Sequence, residues 1–218
     1  TIPNLLKVFK FILVTLIIAL VYSCAQIVAP SGGPQDVTPP KILLAEPGNR
    51  STSFNKTEIR LYFDEFIQLK DIQKQFMASP LLNNTPEFTI RGKSLRIEIL
   101  DTLAENATYT LNFGDALADF TEGNPIKDYE YVLSTGDYVD SVSVRGVVKD
   151  AYTLEVPKDV LIFLYRNYAD STPYLSKPYY ITKLKADGSF VINNVGNPSY
   201  KIFALIDQNQ NYLYELPT

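Results

Sequence analysis

The chain contains no histidine and no tryptophan, and only one cysteine and one methionine in 218 residues. Without histidine, a Ser-His-Asp triad cannot be assembled and a histidine-held metal centre is excluded. With one cysteine, no intrachain disulfide and no cysteine metal cluster can form. Basic residues are in the minority. The 20 Lys and Arg against 24 Asp and Glu leave a net charge of −4 and a pI near 4.9. A nucleic-acid partner needs a basic stripe, so that class is set aside. Long apolar runs are also missing. The uncharged stretch from Phe11 to Val21 falls short of the about 20 residues that a membrane-spanning helix needs.

That short stretch has the proportions of a signal-peptide core. Lys7 and Lys10 precede it as a basic segment, and Val21-Tyr22-Ser23-Cys24 follows it. A small residue before a lone cysteine resembles the bacterial lipobox, although Tyr22 is bulkier than that pattern usually carries. The resemblance implies that residues 1–23 are a lipoprotein signal peptide. Cys24 is then the lipidation site, and acyl chains tie the mature protein to a membrane. Each buried methylene contributes about 0.8 kcal/mol, so two or three chains hold far more firmly than one. The other reading is an uncleaved N-terminal anchor helix with an incidental cysteine. Ala25 stands where Asp would signal inner-membrane retention, which favours the outer membrane of a Gram-negative bacterium. Either face of that membrane, periplasmic or surface, stays open.

Residues 24–37 hold Pro30, Gly32, Gly33 and Pro34, and read with the following Pro39-Pro40 as a semi-stiff tether. Beyond it the pattern takes a period of two. Ile59, Leu61 and Phe63 share one face; Leu95, Ile97 and Ile99 do the same, as do Tyr109, Leu111 and Phe113. Residues 129–135 complete the set. Such alternation marks strands with one buried and one wet face. Turn signals separate them at Pro47-Gly48-Asn49, Asn83 to Pro86, Arg91-Gly92-Lys93 and Glu122 to Pro125. Only residues 68–76 have helical spacing, through Ile72 and Phe76. The expected fold class is all-β, with an immunoglobulin-like β-sandwich over residues 38–137. A second alternating set covers 142–148, 185–192 and 200–207. Val160 to Tyr165 is apolar on both faces, as a central strand is.

The order of TPPKILLAEPGN, EIRLYFDEFI, QFMASPLL, SLRIEILDTLAENATYTLNF, ADFTEGNPI and YVLSTGD resembles the bacterial Ig-like domain of S-layer and other surface proteins. Phe63-Asp64-Glu65, Leu103 to Leu111 and Leu133-Ser134-Thr135-Gly136 carry the resemblance. It implies a fold and a module, with no catalytic motif. Residues 142–218 are similar to prealbumin-like modules of the carboxypeptidase-regulatory type, through Asp187-Gly188, Phe190 and Tyr200 to Ala204. That fold runs on further, so this module reads as incomplete and the chain as cut at its end. The first residue is Thr rather than Met, which reads as a trimmed start. Cys24-Ala25-Gln26-Ile27 with Pro30 to Pro40 also resembles the opening of Gram-negative lipoproteins that contain Ig-like domains.

Three sets of residues carry chemistry. Asp207, Asn209, Asn211 and Glu215 place oxygen ligands at loop positions 1, 3, 5 and 9, a partial calcium pattern. Tyr212 stands where an EF-hand has glycine. The competing reading is an Asx-rich turn closed on its own backbone. Asp64, Glu65, Asp115, Asp119 and Glu122 could pair as acid and base on a glycoside. Strand-end solvation and turn formation explain them more simply. Tyr174, Tyr179 and Tyr180 could stack on a glycan, or simply occupy sheet surfaces. Asp101-Thr102-Leu103, Asp140-Ser141-Val142 and Asp170-Ser171-Thr172 resemble O-glycosylation triplets, at Thr102, Ser141 and Ser171, although the third ends in Thr rather than an apolar residue. Asn49, Asn55, Asn83 and Asn106 begin Asn-x-Ser/Thr sequons that mean little in a bacterial lipoprotein.

Together these residues point to a non-catalytic lipoprotein whose sandwiches act as spacer and protein-interaction surface at the outer membrane. Its expected partners are the membrane, through Cys24, and envelope proteins. No cofactor is expected. The alternative is a surface lipoprotein that binds glycan or adheres through calcium.

Overall fold

The structure, a computed structural model, describes residues 8–15 and 33–215. Two compact units divide the chain at Asp36 and Val37. In the first unit, residues 8–15 form helix α1, exposed throughout, and Gly33 to Asp36 are exposed without regular structure. Among the described residues no helix is long and apolar enough to cross a membrane. Cys24 and the residues beside it lie outside the described residues.

The second unit is built from strands. Its first group runs β1 (Ile42–Glu46), β2 (Glu58–Phe63), β3 (Ile67–Leu69), α2 (Ile72–Gln75), β4 (Met77–Ser79), β5 (Glu87–Arg91), β6 (Ser94–Glu98), β7 (Thr108–Asn112), β8 (Leu117–Asp119) and β9 (Glu130–Ser134). One antiparallel sheet has the order β1-β2-β6-β5, and a second has β4-β7-β9. Register explains the core. Ile59 lies opposite Ile97 and Leu61 opposite Leu95, so their side chains share a face. Those four, with Phe63, Tyr109, Leu111, Phe113, Tyr131 and Leu133, form one buried cluster. Each such side chain contributes about 1.5–3 kcal/mol by leaving water. Phe76, Phe88 and Phe113 close the cluster edge-to-face, with centroids 5.1–6.2 Å apart.

The alternating strands expected from sequence are present, and the fold is all-β. The exception is residues 68–76, where helix is confined to the four residues of α2. Ile67 is buried and pairs with Asp119 of β8, so burial holds residues 67–69 extended against their helical spacing. Strands β3, β4 and β8 have three residues each, too few to show a period.

The second group comprises β10 (Val142–Val147), β11 (Val160–Tyr165), α3 (Thr172–Leu175), β12 (Tyr180–Lys183), β13 (Ser189–Val195) and β14 (Lys201–Ile206). β10 pairs with β13, and β11 lies between β12 and β14. The doubly apolar β11 therefore is a central strand. Ile162 and Leu164 look into one core, while Phe163 and Tyr165 look into another. Residues 185–187 belong to a turn, in which the Asp187 carboxylate accepts the Ser189 N–H.

Candidate functional site

The outer faces of the two first-group sheets differ. On the β1-β2-β6-β5 sheet, alternation leaves Glu58, Arg60, Arg96 and Glu98 toward water. Arg96 bridges Glu58 and Glu98 there. Bonds from Arg96, and then from Arg60, hold the Glu58 carboxyl below its usual range. On the β4-β7-β9 sheet, the same alternation turns Thr108 and Thr110 away from the sandwich core. Yet they are only 1% and 6% exposed. The second strand group covers them.

This joint is polar at one side and apolar at the other. Asn194 is buried on β13 in a left-handed conformation, φ +56°. Its Nδ2 donates to Thr110 Oγ1 at 2.9 Å, and its Oδ1 accepts from Arg50 Nη1 at 3.4 Å. The Asp140 N–H donates to Thr108 Oγ1, the Ile181 N–H to Ser79 Oγ, and the Leu81 N–H to the Tyr179 carbonyl. Met77 and Leu81 pack against the buried cluster of Phe163, Tyr165 and Ile181. Buried polar atoms cost free energy unless paired, so these partners define one relative placement of the two groups. Sequence reasoning missed the joint. The only local sign was Asn193-Asn194 inside a strand, where asparagine is disfavoured.

Beside the joint lies a cleft of about 390 Å³, lined by Gln75, Asn112, Glu130, Thr182, Lys185 and Asn193 among others. The Glu130 carboxylate sits between two amides, accepting from Asn112 Nδ2 at 3.3 Å and Asn193 Nδ2 at 3.4 Å. The Lys183 ammonium donates to the Lys74 carbonyl.

The residues singled out from sequence are dispersed. Asp207, Asn209, Asn211 and Glu215 do come together. The Asp207 carboxylate accepts the Asn211 and Tyr212 N–H groups, while Asn209 and Asn211 donate to Glu215 Oε1 at 2.6 and 3.0 Å. Asn211 Oδ1 accepts the Leu213 N–H. This is an Asx-closed turn. No group of three or more His, Cys, Asp or Glu placed to hold a metal occurs among the described residues.

Asp119 is buried, and its carboxylate accepts the N–H groups of Glu122, Gly123 and Asn124 at 2.6–2.8 Å. Burial alone would raise its pKa. The three backbone bonds, with a further one from the Asn124 side chain, outweigh it and leave the carboxyl below its usual value. Asp119 thus clamps a turn. Asp64 accepts the Lys41 N–H at 2.8 Å. The three tyrosines do not make one platform. Tyr180 is buried and accepts the Gly196 N–H; Tyr179 stacks under Arg166, 3.5 Å from its centroid; Tyr174 is half-exposed against Tyr214. Thr102, Ser141 and Ser171 are exposed.

Residues 36–135 match the family model of the bacterial Ig-like domain. No curated protein matches the chain. Among solved structures, the S-layer protein rSbsC is 20% identical with a TM-score of 0.31, over 71% of this chain and 19% of that one. The N-terminal part of the bacterial S-layer protein SbsC is 16% identical with a TM-score of 0.31, over 81% of this chain and 42% of that one. The chain therefore spans less than half the length of either.

Proposed function

We propose that the bacterial Ig-like domain at residues 36–135 and the strands locked onto it form a rigid, non-catalytic spacer and protein-interaction module. In this reading the module belongs to an outer-membrane lipoprotein tethered through Cys24. The observation that carries it is the joint. A spacer has to transmit position along its length, and the bonds of Asn194, Thr110 and Thr108, with Met77 and Leu81 on the apolar cluster, join the two groups as one body. An interaction module needs stable faces rather than reacting groups. Asp119, the buried member of the carboxylate set, is committed to its turn.

The test of the anchor is Cys24→Ala in the full chain. Palmitate uptake and partition into the detergent phase should both be lost. A variant that still partitions as the parent does would replace the acyl anchor with an uncleaved helix. Crosslinking and pull-down of the lipidated protein from membranes would then identify envelope partners. A second reading, ligand binding, rests on the cleft around Glu130, which is lined by polar and apolar side chains alike. A glycan array probed with and without calcium separates it from the first.

A further inference from the structure

Two phenylalanines lie together on the surface of the Ig-like domain, at the end where the chain enters the second unit. The register that pairs Ile67 with Asp119 sets Phe66 opposite Phe120. The Phe120 N–H donates to the Phe66 carbonyl at 2.9 Å. Ile67 and Asp119 point inward and are buried, so the alternation of side chains turns Phe66 and Phe120 outward. They are 59% and 66% exposed. Exposing two large rings as a pair costs hydration free energy that a polar residue at either position would avoid. Neither ring is needed by the core.

The same end receives the tether. The Lys41 N–H donates to Asp64 Oδ1 and the Asp64 N–H to the Lys41 carbonyl, so the incoming chain is pinned to the strand end that precedes Phe66. Val37 and Leu43, on this incoming segment, are also largely exposed. Residues 24–36 drawn out fully reach at most about 45 Å, and less in any other conformation. If Cys24 carries acyl chains, this end of the domain is the one held near the bilayer.

The charges around the rings are balanced. On the segments that carry and adjoin the rings, Lys41, Lys70 and Lys93 are matched in number by Asp64, Glu65 and Glu122. Lys93 donates to the Asp64 carbonyl and lies 5.7 Å from the Phe66 centroid. The Lys70 ammonium donates to the Gly123 carbonyl. Aromatic rings flanked by long basic side chains suit the boundary between lipid headgroups and acyl chains, where rings enter and ammonium groups stay in water. The balance of charge makes attraction to anionic lipid a minor part of such a contact.

We propose that Phe66 and Phe120 form a lipid-contacting tip, which seats this end of the domain on the bilayer surface that holds the acyl chains of Cys24. The proposal rests on the anchored reading above. It adds a second point of contact and so an orientation: the module stands on its tip instead of swinging freely on the tether.

The absence of tryptophan gives a clean probe. The lipidated full chain carrying Phe120→Trp is reconstituted into vesicles of phosphatidylethanolamine and phosphatidylglycerol, with and without brominated acyl chains. The indole at position 120 should emit further to the blue than in Tyr152→Trp, a control at a site 99% exposed in the second strand group. Brominated lipid should quench it several-fold more strongly than the control. Added salt should leave the quenching in place, and Phe66→Ser should weaken it. Vesicle-bound protein with an unquenched indole overturns the tip while leaving the anchor intact. Protein that stays off the vesicles overturns both. A blue shift that arises only when outer-membrane proteins are added assigns the pair to a protein and also refutes the lipid contact.

Discussion

If the joint makes one body of the two strand groups, Asn194 should be its most sensitive polar residue. Asn194→Ala removes the amide that donates to Thr110 Oγ1 at 2.9 Å and accepts from Arg50. It also places alanine at φ +56°. The left-handed conformation costs an L-residue about 1–2 kcal/mol, and an orphaned buried hydroxyl about 1–3 kcal/mol. The expected loss is about 2–5 kcal/mol, or roughly 4–20 °C in Tm for a unit of this size. Asn194→Gly tolerates the same φ, so it should lose only the hydrogen-bond part and remain the more stable variant by about 1 kcal/mol. Thr110→Val removes the partner. Combined with Asn194→Gly it should show a coupling of about 0.5–3 kcal/mol. Urea unfolding followed by far-ultraviolet circular dichroism and tyrosine fluorescence would read these values. A weakened joint should also split one transition into two. Strict additivity of Thr110→Val and Asn194→Gly would mean that the contact is not formed in solution. Equal losses in the alanine and glycine variants would refute the backbone argument.

Phe63 is 2% exposed and Phe66, three residues on, is mostly exposed. Phe63→Ala should cost about 3–5 kcal/mol in urea denaturation, whereas Phe66→Ala should stay within about 0.5 kcal/mol; similar losses would contradict the register of β2. The pKa of Asp119 is lowered in the folded state, so its contribution is present above the unfolded value of about 3.9 and vanishes as pH falls through the lower, folded one. Asp119→Asn should therefore be less stable at neutral pH and show a shallower loss of stability on acidification; a parallel pH profile would exclude the clamp. The loop from Asp207 to Glu215 should bind calcium no more tightly than about 10⁻⁴ M, because Asp207 and Asn211 already accept backbone N–H groups. Micromolar binding in calorimetry, lost in Asp207→Ala, would show that the turn opens for the ion.

Much of the fold was legible locally. Alternation placed Ile59, Leu61, Phe63, Leu95, Ile97, Tyr109, Leu111 and Phe113 inside, and the doubly apolar Val160 to Tyr165 announced a central strand. These features follow from the two-residue period of a strand, a property each segment carries alone. The same period shows which residues share a face, but not what lies over that face. Glu58 and Thr110 occupy equivalent outward positions on their strands; one meets water and the other meets Asn194. Similarly, Phe66 and Phe120 are 54 positions apart, and only the pairing of β3 with β8 makes them neighbours. Asp119 looked like one of five loose carboxylates until the turn closed three N–H groups around it. Composition and local period determined that this chain builds strands, which side chains fill the first core, and which chemistries it lacks. The joint, the paired rings and the clamped turn were decided by contacts between distant segments, whose loop-closure entropy and packing leave no local trace in the sequence.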